Sequence, residues 1–180
     1  MVDGHTDAIA HICSWLDSWQ HDHPAGPWWP RTITLNEARA GRAQQRGPLQ
    51  PSWCYGTPGI ARAQQLAALT TGDTARQRAA ETALLGCLRD PAQLARIIGP
   101  SLCHGAAGLL HTTWRTATDA ATGELAACLP DLAVLLVEQL RTAPRNVELL
   151  EGGTGAALAL HTAATGTAPR SGWDTCLLLA

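Results

Sequence analysis

Three glycine motifs recur along the chain, Gly56-Thr57-Pro58-Gly59, Gly105-Ala106-Ala107-Gly108 and Gly152-Gly153-Thr154-Gly155, with their first glycines 49 and 47 residues apart. A fixed period of that size marks a repeat architecture, in which each unit buries its apolar face only against its neighbours. Each motif is followed by ten or more mostly small and apolar residues, as in ARAQQLAAL and GAALALHTAA. Helices that rich in alanine suit close packing on several sides. The intervening segments instead carry a single apolar stripe at helical spacing, Ala80, Ala83, Leu84, Cys87 and Leu88 in one and Leu132, Leu135, Leu136 and Leu140 in the other. The unit is therefore a pair of helices, one inner and one outer. The fold class is all-α, either an open solenoid or a closed α/α toroid.

Local start signals agree. Thr57 can cap a helix with Pro58 at its first position, Thr74 and Gln77 have capping-box spacing, and Asp90 precedes Pro91. A first amphipathic helix over roughly residues 6–20 places Ile9, Ile12, Cys13 and Leu16 on one face and reads as an outer helix. Its inner partner has no counterpart in the sequence, so the chain is expected to start halfway through a repeat and to expose apolar flanks where further repeats would pack. Residues 21–50, with four prolines and glycines from Pro24 to Pro30 broken only by Ala25 and the pair Trp28 and Trp29, form a long insertion. Ordered loops of that length are either functional or a surface cover pinned by the tryptophans.

A length of 180 residues and 46% apolar residues fit one domain spanning 1–180 with a packed core. The net charge is -2, and the 13 basic residues, all arginine, are scattered rather than gathered into a stripe. That argues against nucleic acid or an anionic membrane surface as the main partner. No stretch reaches the roughly 18 apolar residues of a spanning helix, and the N-terminus lacks the basic and apolar regions of a secretion signal. A cytoplasmic location is the resulting expectation, in which six cysteines are metal-bound, catalytic or free rather than paired.

Aligned on their glycines, the repeats place Cys54-Tyr55, Cys103-His104 and Leu150-Glu151 just before the three inner helices. Two neighbouring repeats thus deliver thiols to the same end of the layer. Cys54, Cys103 and His104 make a Cys2His donor set, which suits Zn2+ and leaves one tetrahedral position open, an arrangement commoner in catalysis than in structural sites. Helix N-termini also favour nearby anionic sulfur. The alternative, cysteines packed in a core beside a satisfied histidine, fits the isolated residues well, and the repeat register weighs against it. Cys13, Cys87, Cys128 and Cys176 lack comparable partners and read as core thiols. His5, His11, His21 and His23 cluster near the N-terminus, with Asp7 and His11 spaced i, i+4; they read as solvent-facing before they read as a second metal site. His111 and His161, within inner helices, either line a cavity or serve packing.

Trp53-Cys54-Tyr55-Gly56-Thr57-Pro58-Gly59 followed by Cys103-His104-Gly105-Ala106-Ala107-Gly108 resembles the lanthionine synthetase C family, the lanthipeptide cyclases. The likeness continues through Leu150-Glu151-Gly152-Gly153-Thr154-Gly155 and the closing stretch Ser171 to Leu179. The resemblance implies a closed α/α toroid of seven helix pairs, of which this chain would supply about three. It also implies zinc held by Cys54, Cys103 and His104, and the addition of a precursor peptide's cysteine thiol to dehydroalanine or dehydrobutyrine. Tyr55 would assist. The implied partners are a dehydrated precursor peptide, a dehydratase and a second chain completing the toroid. Two departures stand out: the repeat that carries the family's catalytic histidine motif has no counterpart, and an arginine common four residues before the WCYG cysteine is Gln50. Three readings follow: a cyclase completed by another chain, a zinc-binding protein that binds peptide without turnover, and a helical-repeat interaction module with a structural metal.

Overall fold

The computed structural model describes residues 4–144 and 146–180. It consists of helices α1 (His5–Asp17), α2 (Leu35–Ala40), α3 (Thr57–Thr71), α4 (Thr74–Arg89), α5 (Pro91–Leu94), α6 (Ala106–Thr118), α7 (Glu124–Ala127), α8 (Leu129–Thr142) and α9 (Gly153–Thr165), closed by a 3-10 turn at Trp173–Leu177. Among the described residues there is no strand, only an isolated bridge between His21 and Trp28.

The alanine-rich helices α3, α6 and α9 form the inner layer, with α6 packed between the other two, while α1, α4 and α8 lie outside them. Ala61, Ala106, Ala107, Ala156 and Ala159 are all buried at these contacts, where small side chains let the helix axes approach. Leu84, Leu88, Leu132 and Leu136 supply the bulk from the outer layer.

The last glycine of each motif has one shared purpose. A Cβ at Gly59, Gly108 or Gly155 would collide with the backbone carbonyl of Trp53, Leu102 or Leu149, in each case six residues earlier. Each inner helix therefore begins pressed against its own incoming loop, and that contact aims the residues just before the helix at one end of the layer. Alanine at these positions would force backbone apart, a mechanism that destabilises well beyond the ordinary cost of a surface change.

Polar groups tie the layers together. Arg62, buried on α3, bonds Asp119 at 2.8 Å, the carbonyl of Leu179 at 2.9 Å and the side chain of Gln65. Gln65 in turn donates to Glu81 on α4 and to the carbonyl of Thr116 on α6. The cation is compensated on several sides, as a buried charge must be.

Several details differ from the sequence expectation. Helix α1 ends at Asp17, and Ile12 is 60% exposed while Cys13 is buried, so the anticipated stripe faces partly outward. Gly56, not Thr57, precedes α3, and its positive φ of 81° is a backbone state that side chains resist. The Thr57 hydroxyl instead accepts from the amide of Trp29. Helix α4 is capped by Asp73, whose side chain accepts from the Arg76 amide, so the Thr74 and Gln77 box does not form. Asp90 does cap α5, accepting from Ala92. A true capping box closes α2 between Thr34 and Glu37. Cys87 is buried as expected and its thiol is pushed up to about 12 by burial, but Cys128 is half-buried and Cys176 is exposed, because the 3-10 turn directs it outward while burying Asp174 and Leu177.

The insertion over residues 21–50 is ordered by its tryptophans. Trp28 and Trp29 are both buried, the Trp29 indole donates to the carbonyl of Leu16 at 2.9 Å, and His21 stacks on Trp28.

Candidate metal centre

The loops entering α3 and α6 are built alike. Ser52 and Ser101, 49 residues apart and both buried, each accept a backbone amide from the ligand segment: Cys54 N–H at 3.2 Å for Ser52 and His104 N–H at 3.2 Å for Ser101. Ser52 also donates to the Cys103 carbonyl at 3.0 Å and lies 3.2 Å from the Cys54 sulfur, so it joins the two loops. The sequence reading passed over these serines. Their common offset from the glycine motifs was the available signal.

Cys54, Cys103 and His104 meet at this junction, with their donor atoms all within 4.8 Å of one another and the two Sγ atoms 3.4 Å apart. A tetrahedral zinc ion binds thiolates at about 2.3 Å and imidazole nitrogen at about 2.0 Å, which separates its sulfurs by roughly 3.8 Å. The trio fits that geometry with small side-chain adjustments. The chemistry of the donors fits as well. Burial, the adjacent Cys54 and the carboxylate of Glu151 push the Cys103 thiol up to about 12, so paired thiolates are unfavourable here without a cation. A divalent ion reverses that balance, because a coordinating thiol is deprotonated outright.

The surrounding side chains fix the pocket. Gln50 donates to the His104 carbonyl at 2.5 Å. Tyr55 stacks on His104 with centroids 6.3 Å apart and planes at 23°, and the Arg31 guanidinium, contributed by the insertion, lies 3.9 Å over the Tyr55 ring. Burial raises the Tyr55 phenol, with the nearby cysteines and Glu151 adding to the rise and Arg31 opposing it, so the hydroxyl stays protonated at neutral pH and can donate. A cleft of about 260 Å³ opens beside Cys54 and Tyr55, walled by Trp15, Trp29, Arg31 and Ile33. The insertion thus both covers the core through its tryptophans and lines the site.

The other candidates fall elsewhere. His11 and His161 are exposed, and among the described residues Cys54, Cys103 and His104 are the sole cluster able to hold a metal. His111 is fully buried, its Nε2 2.7 Å from Asp174, which also receives Arg115 at 2.6 Å. Sequence reasoning missed this network, since its members are 59 and 63 residues apart with no local pattern to announce them.

The inner and outer helix layers, with thiols and an imidazole at the ends of neighbouring inner helices, define an α/α-toroid protein with a candidate Cys2His metal centre. The chain belongs to the lanthionine synthetase C-like family, whose model matches residues 2–178. Among solved structures it is similar to one described as nisin cyclase, with a TM-score of 0.82, 18% sequence identity and 99% of this chain covered. That match spans 44% of the nisin cyclase chain, so the chain corresponds to part of the helical toroid. No curated protein matches. Among the described residues no helix is long and apolar enough to cross a membrane.

Proposed function

We propose that residues 1–180 form one partial toroid domain supplying the metal-binding side of a lanthionine cyclase, which joins a precursor peptide's cysteine thiol to dehydroalanine or dehydrobutyrine. The observation that carries this reading is the convergence of Cys54, Cys103 and His104 within 4.8 Å in a member of this family. Zinc held there would supply the Lewis acidity that makes an incoming thiol nucleophilic at neutral pH. Cys54, Cys103 and His104 hold the cation, while the cleft beside Cys54 takes the flanking peptide against Trp15, Trp29 and Arg31. The new C–S bond forms between the thiolate sulfur and the alkene β-carbon, the alkene electrons move to the adjoining carbonyl as an enolate, and a proton is returned to the α-carbon. The proton lost by sulfur balances the one gained by carbon, so no further reactant is consumed. Tyr55, whose phenol stays protonated and whose ring stacks on His104, would steady the developing oxyanion. A dehydratase must act first, because the alkene arises by loss of water from serine or threonine residues.

The 44% coverage of nisin cyclase favours a second reading, in which the chain binds zinc and peptide without turnover unless another chain completes the toroid and supplies the acid. Cyclisation leaves mass unchanged, so the test is protection of a dehydrated, thiol-bearing peptide from alkylation after incubation with the zinc-loaded protein. Loss of alkylatable thiol in proportion to enzyme supports the cyclase. Full alkylation with zinc bound supports the second reading, and absence of zinc binding removes both.

A further inference from the structure

The third glycine motif provides no metal donor, yet its loop is bonded to the ligand loop. The carbonyl of Leu150 accepts the amides of Leu102 at 2.8 Å and Cys103 at 3.0 Å. One residue on, the Glu151 carboxylate reaches the ligand histidine, with Oε1 3.5 Å from Nδ1 of His104. The main chain of His104 is already held, its amide by Ser101 and its carbonyl by Gln50, and Tyr55 stacks against its ring plane. None of these contacts decides which ring nitrogen faces the cysteines. A neutral imidazole that gives one nitrogen to a metal carries its proton on the other, and an acceptor there fixes both tautomer and ring orientation.

We propose that Glu151 is the positioning residue of the metal centre: its carboxylate accepts the Nδ1–H of His104 and so turns Nε2 toward Cys54 and Cys103. The proposal rests on the reading of those three residues as metal ligands. It gives the third repeat a part in the site, so that three successive inner-helix entrances contribute a thiol, a thiol with an imidazole, and the carboxylate that orients the imidazole.

The test is Co2+ uptake by the purified protein against a competing chelator, read from the visible absorption of the thiolate-bound metal, for the wild type, Glu151→Ala and Glu151→Gln. Glu151→Ala is expected to weaken binding by about 10- to 100-fold while leaving band positions and intensities unchanged. Glu151→Gln, whose amide oxygen still accepts a hydrogen bond, recovers most of the affinity. In the metal-free wild type, nitrogen NMR of His104 shows the Nδ1–H tautomer. Equal affinity in all three proteins overturns the proposal, and so does a spectrum in Glu151→Ala that reports loss of a coordinating atom, since Glu151 would then be a ligand itself. Should Glu151→Ala not fold, an Nε2–H tautomer of His104 in the metal-free wild type overturns it equally. If the wild type takes up no Co2+, the ligand reading fails first and the failure is seen before any variant is made.

Discussion

Two histidines seven positions apart each face a carboxylate, and they differ in almost every other respect. His111 is fully buried, 2.7 Å from an equally buried Asp174 that also holds Arg115. His104 is 42% exposed and 3.5 Å from the half-exposed Glu151, with two thiols for neighbours. The first pair is closed: its partners come from α6 and the closing 3-10 turn, and burial leaves no access for a ligand. The second is open to solvent and sits beside two thiols, groups that make poor partners for one another and good partners for a cation. Burial, more than the identity of the paired residues, separates a structural histidine from one available for chemistry.

That contrast can be broken from either side. The largest effect is expected at the open site, where Cys103→Ala removes stoichiometric zinc binding and leaves the metal-free fold intact, as read by metal analysis beside circular dichroism. Retention of full occupancy would sink the ligand assignment. At the closed site Asp174→Ala leaves His111 and Arg115 without their acceptor, and a broken buried pair costs about 3–5 kcal/mol. Its melting temperature should fall while that of Cys103→Ala, measured without metal, stays near wild type; an unchanged melt for Asp174→Ala would show that the pair contributes nothing to stability.

Acid should act on the closed pair next. Burial pulls the ionisation of His111 down despite the adjacent Asp174, since protonation would place an N–H on the buried Nδ1, which has no partner. A histidine depressed in the folded state contributes stability above the ordinary value near 6.5 and loses it as pH falls below that toward the folded value. Asp174 acts with the same sign at lower pH: burial opposes its ionisation, but the hydrogen bonds from His111 and Arg115 prevail and hold it below the usual carboxylate range. Chemical denaturation between pH 7 and 5 is expected to show falling stability in the wild type and a shallower slope in His111→Gln; parallel slopes would contradict the assignment. The smallest effect is reserved for Gln50→Ala, which removes one hydrogen bond to the His104 carbonyl, worth about 1 kcal/mol. Metal affinity should drop by less than about tenfold, and a larger loss would mean that Gln50 does more than steady the loop.

How far the sequence carried the reading follows from the same contrast. The layered repeat and the triad Cys54, Cys103 and His104 left periodic traces, because every inner helix needs a glycine where Gly59, Gly108 and Gly155 meet a backbone carbonyl, and the residues before it inherit that register. Asp174, Arg62 and Asp119 left none. Their partners lie far along the chain, and a buried polar residue is indistinguishable in sequence from an exposed one until its partner is known. Helix starts failed for a related reason: Thr57 has the chemistry of a cap, but its hydroxyl is taken by Trp29 from the insertion. Cys176 was misjudged because a short 3-10 turn presents residues with a period unlike that of the helices around it.

The hydrogen bond from Arg62 to the carbonyl of Leu179 links positions 117 residues apart, and the indole of Trp53 likewise reaches the carbonyl of Leu177. Most repeat proteins grow unit by unit, each finding its neighbour as synthesis proceeds. Here α3 holds an arginine with one of its partners, the Leu179 carbonyl, in the segment beyond α9, so the first inner helix is tied directly to the stretch that follows the third. A variant cut before Leu177 should become protease-sensitive in α3, so that residues 177–179 act as a latch across the whole layer.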